Sequence, residues 1–363
     1  MMLNTPHFIV YSLMINLSRK LEKIWYSNKR PPYLLIILSK LFSLIVKIRS
    51  SLYKSGFLKI RNVEVPVIVI GNLTAGGTGK TPFTLFLSEF FDENKKKVGI
   101  ISRGYKGRRS SKDPYILSKT DKAIDFGDEA VYLARKSKAI VCVCKDKFRA
   151  AKMLVKSGAE IIISDDGLQH YKLGRDYEIA VVDGSRLLGN QYLLPAGPLR
   201  ENISRLYDVD LVLLNGGYEA CSNWENHLHS AGMRKFKALF NFTINNKVLF
   251  NLNDNSKHDL SDFTGKTVQV LAGIGNPERL YKDIEKYGIV VSPIEIEDHG
   301  IVDINIYSDD AMPLFMTPKD AVKYNKPFPK NAFVLDPFIK IGEDNGDEYA
   351  LFRLFDEDLF WGE

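Results

Sequence analysis

The residues best placed to do chemistry form the run Gly71-Asn-Leu-Thr-Ala-Gly-Gly-Thr-Gly-Lys-Thr81. It sits between an apolar, β-branched stretch, Val65 to Ile70, and a helix-forming stretch, Pro82 to Phe91. A glycine-rich turn between strand and helix lets backbone N–H groups point inward around phosphate oxygens. The helix N-terminus adds a partial positive charge. Thr74, Ala75, Gly76, Gly77, Thr78, Gly79, Lys80 and Thr81 are therefore read as the cradle for ATP. Lys80 reaches the β- and γ-phosphates, and the Thr81 hydroxyl is placed for Mg²⁺. Thr74 stands where the usual pattern has its first glycine, so Gly76 and Gly77 must make the turn.

A second run, Ile161-Ile-Ile-Ser-Asp-Asp-Gly167, ends an apolar strand in two carboxylates. Downstream of such a loop, this is where an Mg²⁺-organising acid belongs. Spacing leaves Asp165 and Asp166 as alternatives. Phosphoryl transfer also needs a group to take or orient the acceptor proton. Asp128 in Gly127-Asp-Glu129 and His299 in Asp298-His-Gly300 are the candidates; at a helix start, Asp128 could equally be a cap. Arg103 in Ser102-Arg-Gly-Tyr105 offers a guanidinium clamp for phosphate.

These groups need a scaffold. Strand-like runs at Val98 to Ser102, Ala139 to Cys144, Ile161 to Ser164, Ile179 to Val182 and Leu211 to Leu214 alternate with helical runs at Asp128 to Lys136 and Phe148 to Ser157. That alternation predicts an α/β fold, a mostly parallel sheet with helices on both faces. Arg103 to Asp125 reads as a loop. After Asn215-Gly216-Gly217 the pattern becomes that of a smaller second α/β domain, with Thr267 to Ala272 leading through Gly273-Ile-Gly-Asn-Pro-Glu278 into a helix. The expected division is 1–61, 62–216 and 217–363, with His299 contributed from the third part.

Charge sets the first part aside. Residues 1–61 hold eleven Lys or Arg and one acid, giving +10, whereas the remainder carries −4. Pro31-Pro32 divides this arm, and Leu34 to Ile48 reads LLIILSKLFSLIVKI. As a helix it spans roughly 22 Å, short of the ~30 Å hydrocarbon core. It is expected to lie in a membrane interface, with Lys40 and Lys47 snorkelling toward headgroups. Phe8 to Leu17 is a second apolar run, with no cleavage site after it. So apolar a segment gains nothing from nucleic acid. Cys142, Cys144 and Cys221 suit neither a zinc half-site nor a disulfide framework, which fits a reducing compartment. A membrane-recruited ATPase switch is the rival reading; the lysine such loops carry is here Ala75.

Taken together, GNLTAGGTGKTP (Gly71 to Pro82), ISRGYKG (Ile101 to Gly107), GDEA (Gly127 to Ala130), SDDGLQH (Ser164 to His170), LLPAGPLRE (Leu193 to Glu201), AGIGNPER (Ala272 to Arg279), DHG (Asp298 to Gly300) and MTPKDAVK (Met316 to Lys323) resemble the tetraacyldisaccharide 4′-kinase family of lipid A biosynthesis. Thr74 is that family's form of the loop. The resemblance implies a P-loop kinase with an N-terminal membrane-associated helix. Its substrates are ATP with Mg²⁺ and a lipid-linked glucosamine disaccharide, at the cytoplasmic face of a bacterial inner membrane, with no protein partner or nucleic acid. It implies Asp128 as base, paired with His299, and Glu201 beside Asp165 and Asp166 in ordering the metal or nucleotide. Leu193 to Glu201 is expected to line the sugar-lipid side. Gly300 and Pro318 depart from the family, which has histidine and glutamate there.

Overall fold

The computed structural model describes residues 20–27, 29–109, 113–217, 220–224, 226, 237–296, 300–308, 312–342, 348 and 350–355. His299 and the run Phe8 to Leu17 lie outside the described residues.

The arm's helix α1, Tyr33–Lys54, begins right after Pro31-Pro32 and outruns the expected Leu34 to Ile48 by two turns. Then come β1 (Val67–Gly71), α2 (Lys80–Glu93), β2 (Val98–Ser102), β3 (Tyr115–Ile116), α3 (Ala123–Phe126), α4 (Asp128–Lys136) and β4 (Ile140–Val143). The chain continues with α5 (Lys147–Lys156), β5 (Ile161–Ser164), β6 (Tyr177–Asp183) and β7 (Leu211–Asn215). Six of these seven strands were legible as apolar runs. The exception is β3, two residues paired antiparallel to β4 inside the segment read as a loop.

Strands β7-β6-β1-β5-β2-β4 lie side by side and all run parallel. Their faces alternate with residue parity. Ile68 and Ile70 enter one core with Phe83, Leu87 and Phe91 of α2. Val67 and Val69 enter another with Ala150, Ala151 and Leu154 of α5. A strand apolar at every position is therefore explained by burial on both faces. Because β1 lies between β5 and β6, the chain leaves it in one direction and returns on the other side. This is the switch point at which open α/β sheets leave a crevice beyond the strand ends.

The second half adds β8 (Leu239–Asn251), β9 (Lys257–Asp259), β10 (Thr267–Leu271), α6 (Pro277–Glu285), β11 (Val290–Ile294), β12 (Leu314–Met316), α7 (Pro318–Ala321) and β13 (Ala332–Ile341). Strands β11-β10-β12-β13 are parallel, over cores of their own. The division expected at residue 216 is not a break in the sheet. Strand β8 pairs with β7 in parallel and with β13 antiparallel, so one 13-stranded sheet runs through both halves. A bulge between Asp336 and Phe338 interrupts the long β8–β13 ribbon at Pro337, a residue that cannot donate to the ladder. The end of the chain also returns to the first half. Phe352 stacks on Phe90 with ring centroids 3.6 Å apart, and Leu351 and Phe355 join the α2 core.

Candidate active site

The parallel strands of the first half deliver their C-terminal ends to one place. Asn72, Ser102, Asp165, Asp183 and Asn215 follow or close β1, β2, β5, β6 and β7, and all five are buried. A cleft of about 800 Å³ opens above them. Its floor is the loop Gly76 to Thr81 with Asp165 and Asp166. One wall is Phe42, Ile45, Val46 and Arg49 of α1, and another is Ile274 to Arg279 with Thr317 to Lys319 from the second half.

The loop is braced from inside. The Asn72 side-chain amide donates to the carbonyls of Thr74 and Gly76 at 2.7 and 3.3 Å, and its oxygen accepts from Lys80 Nζ at 3.1 Å. Gly76 and Gly79 adopt φ of 108° and 93°, values that favour glycine. Gly79 also lies against Asn215, whose amide donates to the Thr78 carbonyl at 3.0 Å. Thr74 needs no glycine because it bridges antiparallel to Leu199; Ala75 N donates to Pro198 O and Arg200 N to Leu73 O, each at 2.7 Å. The segment expected on the sugar-lipid side, Leu193 to Glu201, is thus laced to the phosphate loop.

Lys80 Nζ lies 3.4 Å from Asp166 Oδ1, and Arg200 Nη1 lies 3.1 Å from the same oxygen. Burial opposes ionisation of Asp166. Lys80, Arg200 and Lys147 outweigh it and hold the carboxyl below the ordinary carboxylate range. Asp166 has φ of 48°, so the turn directs its side chain away from its neighbour's. Asp165 is the opposite case. It is buried, its Oδ1 has no hydrogen-bond partner, and burial together with Glu129 pushes its pKa up. An orphaned, dry carboxylate oxygen beside the loop fits a divalent cation, whose charge would favour the ionised form.

Behind this turn stands Lys147, a residue the sequence reading did not single out. It is 3% exposed, donates to Ser164 Oγ at 3.1 Å and to the Asp165 carbonyl, and burial lowers its pKa to about 8. Its signal was helical spacing: it shares the inward face of α5 with Ala150, Ala151 and Leu154. Burial, with Lys147 and Arg103 nearby, drives His170 down to about 3, so this imidazole is neutral at pH 7. Glu201 is buried, and its carboxylate accepts from the Tyr171 hydroxyl and from Gln169 Nε2 at 3.3 Å, with Arg205 Nε at 3.9 Å. Gln169 also donates to the Asn72 carbonyl at 3.2 Å. These bonds make Glu201 a brace for the loop as well as a wall of the cleft.

Arg103 is exposed at the rim of the cleft. Gly127 packs so closely that a Cβ there would meet the Tyr105 carbonyl at 2.6 Å, which fixes the Arg103 and Asp128 motifs together. Asp128 opens α4, is 4% exposed, and accepts from Glu129 N at 2.8 Å. Its Oδ2 lies 3.5 Å from Lys323 Nζ, and the adjacent Glu129 lies 3.1 Å from Lys319 Nζ.

The second half meets the phosphate loop at Gly275, where an added Cβ would fall 2.0 Å from Gly77 N. Asn276 donates to Asp183 at 3.0 Å, Arg279 to the Asn215 carbonyl at 2.9 Å, and Arg186 to the Gly275 carbonyl at 3.0 Å. Gly275→Ala is expected to lift this loop from the cradle and lower turnover by about 10²-fold, the cost of an ångström-scale misplacement. Steady-state kinetics with a parallel melting curve checks it; full turnover would show that the contact does not matter.

Comparison with known proteins gives a consistent picture. The sequence profile of the family described as tetraacyldisaccharide-1-P 4′-kinase matches residues 32–350. The tetraacyldisaccharide 4′-kinase of Nitrosococcus oceani is 39% identical over 312 residues, 85% of this chain and 87% of that one. The Haemophilus influenzae protein of the same name is 40% identical over 303 residues, 82% and 86% of the two chains. Among solved structures, "apo" form LpxK from Aquifex aeolicus in complex with ATP matches with a TM-score of 0.68 and 28% identity, covering 88% of this chain and 97% of that chain.

Proposed function

The chain belongs to the tetraacyldisaccharide-1-P 4′-kinase family, and from that premise we propose how its cleft transfers the γ-phosphoryl of ATP to the 4′-hydroxyl of a tetraacylated glucosamine disaccharide 1-phosphate. The observation that carries the reading is the continuity of the cleft. One cavity runs from the braced phosphate loop to Phe42, Ile45 and Val46 of α1, so a nucleotide and an amphiphile can share it.

The loop N–H groups and Lys80 hold the β- and γ-phosphates. Thr81, Asp165 and Asp166 are the groups that would hold Mg²⁺, with Glu201 ordering the wall beside them. When bound, that ion supplies neutralisation of phosphate charge. Phosphoryl transfer has a loose transition state, so placement and charge matter more than covalent help. Arg103 at the rim offers a cation for phosphate, and Arg49, which ties α1 to the Gln169 carbonyl at 3.0 Å, faces the same cavity. Both suit the substrate's 1-phosphate. Asp128 orients the acceptor hydroxyl and takes its proton, with His299 as its partner in the dyad. The Lys323 ammonium that approaches Asp128 also donates to the carbonyl of Gly300, the residue after His299 in the chain, at 3.0 Å.

The arm supplies the lipid side. Among the described residues no helix is long and apolar enough to cross a membrane. Yet α1 exposes Ile37, Leu38, Leu41, Leu44, Ile45 and Ile48, each at least 43% accessible. Buried in a bilayer interface, such side chains would each gain up to ~1.5–3 kcal/mol. These exposed side chains support a reading in which the site works at the headgroup plane of the inner membrane, on the cytoplasmic face. Combined Ile37→Ser, Leu41→Ser, Leu44→Ser and Ile48→Ser substitution is expected to abolish co-flotation with anionic vesicles. Undiminished flotation would assign membrane contact to another surface.

The test of the transfer itself is product analysis. Folded, ATP-binding protein given ATP, Mg²⁺ and the disaccharide 1-phosphate should yield a lipid heavier by one phosphoryl group, at the 4′ position by phosphorus NMR. ADP formed with the lipid unchanged would sink the reading.

A further inference from the structure

Lys323 has no part in the division of labour above, yet it is among the most enclosed cations described. Its side chain is 3% exposed. Its ammonium lies 2.7 Å from Asp320 Oδ1 and 3.5 Å from Asp128 Oδ2, and it donates to the Gly300 carbonyl at 3.0 Å. Asp320 is fully buried. Its other oxygen accepts from Gly273 N at 2.8 Å and from the Thr317 hydroxyl at 2.6 Å. Gly273 opens the loop whose Gly275 rests on Gly77. A continuous run of contacts therefore leads from the phosphate loop, packed on Gly275, through the polar links of Gly273, Asp320 and Lys323 to Asp128.

We propose that Lys323 is a positioning residue for phosphoryl transfer: it fixes the Asp128 carboxylate in its charged, acceptor-facing state and ties that state to the docking of the second half on the phosphate loop. The inference rests on Asp128 as the acceptor's base. The chemistry follows from the charges. Asp128 and Asp320 are two carboxylates taken out of water within reach of one ammonium. The ammonium offsets the repulsion between the two carboxylates; without it, the like charge beside Asp128 raises the proton affinity of Asp128. The second Asp128 oxygen is held by Glu129 N, so the carboxylate is pinned at both ends. Other charged groups border this spot. Glu129 lies on the same helix and Lys319 on the Thr317 to Lys323 segment. Arg103 and Lys106 lie on the segment packed against Gly127, as does Arg109, which is paired with Asp125. Glu297, Asp298 and His299 lie outside the described residues. Amid these groups, Lys323 approaches the Asp128 carboxylate at 3.5 Å.

The experiment is the pH dependence of kcat for the full-length wild type, Lys323→Met, Asp320→Asn and Asp128→Asn, with melting temperature and ATP affinity measured alongside. Lys323→Met should move the acid limb of kcat up by about 1–3 pH units, so that alkaline buffer recovers part of the lost turnover. Asp320→Asn should move the limb the other way, because Lys323 then serves Asp128 alone. Lys323→Arg should restore the wild-type limb at least in part. A fixed limb in both Lys323→Met and Asp320→Asn, with only the melting temperature lowered, would make Lys323 a structural pin and overturn the proposal. Should Lys323→Met fail to fold, the downward shift in Asp320→Asn decides alone. Full activity of Asp128→Asn would instead remove the base reading itself, an outcome distinct from failure of the Lys323 proposal.

Discussion

Lys80→Met protein is expected to fold, to bind the lipid side normally and to turn over roughly 10²–10³-fold more slowly than wild type, the cost of losing one preorganised charge partner. The side chain is not a flexible surface lysine. It is held at 3.1 Å by Asn72 and at 3.4 Å by Asp166, so its ammonium is aimed before the nucleotide arrives. Methionine keeps most of the packing and removes the charge. Asp166 keeps Arg200 at 3.1 Å, which limits the loss of stability. Turnover and ATP affinity, measured with a melting curve, separate charge from structure. A loss smaller than tenfold would mean that Arg200 or the cation alone neutralises the phosphates.

Asp128→Asn is the second large effect. Amide and carboxylate have the same shape, so the Glu129 N–H bond at 2.8 Å can persist while the proton acceptor is lost. Turnover is expected to fall about 10²–10⁴-fold, the usual contribution of a positioned general base. ATP binding should change little, because Asp128 does not line the nucleotide cradle. Fluorescent-nucleotide titration beside single-turnover kinetics checks both halves of that statement. Unchanged turnover would reduce Asp128 to a helix-start residue that pairs with Lys323.

How much of this was legible in the sequence depends on how local each feature is. The phosphate loop and the Asp165–Asp166 turn are contiguous, and apolar strands flank both, so residue type and order suffice to place them. The parallel strands were readable for the same reason: burial on both faces makes β1, β5 and β7 apolar at nearly every position. Asn215 and Lys147 act through partners remote in the chain. Asn215 was read only as the start of a turn, because its role depends on β7 ending beside the loop after β1, a fact of strand order. Lys323 reaches Asp128 only because the β8–β13 ribbon carries the second half of the sheet across the cleft. No spacing in the chain encodes that approach. The same ribbon explains why the boundary at residue 216, drawn from Gly216-Gly217, does not interrupt the sheet. Strand β3 escaped notice because two residues carry no periodicity.

The central claim is that one cleft brings the γ-phosphate, held by Lys80, to a hydroxyl oriented by Asp128. A crystal structure with a non-hydrolysable ATP analogue, Mg²⁺ and the disaccharide 1-phosphate measures it most directly. The account predicts the γ-phosphate within hydrogen-bond reach of Lys80 Nζ and the 4′-oxygen in line behind it, within hydrogen-bond reach of Asp128. A 4′-oxygen remote from Asp128, or a γ-phosphate turned away from Lys80 toward open solvent, would contradict it.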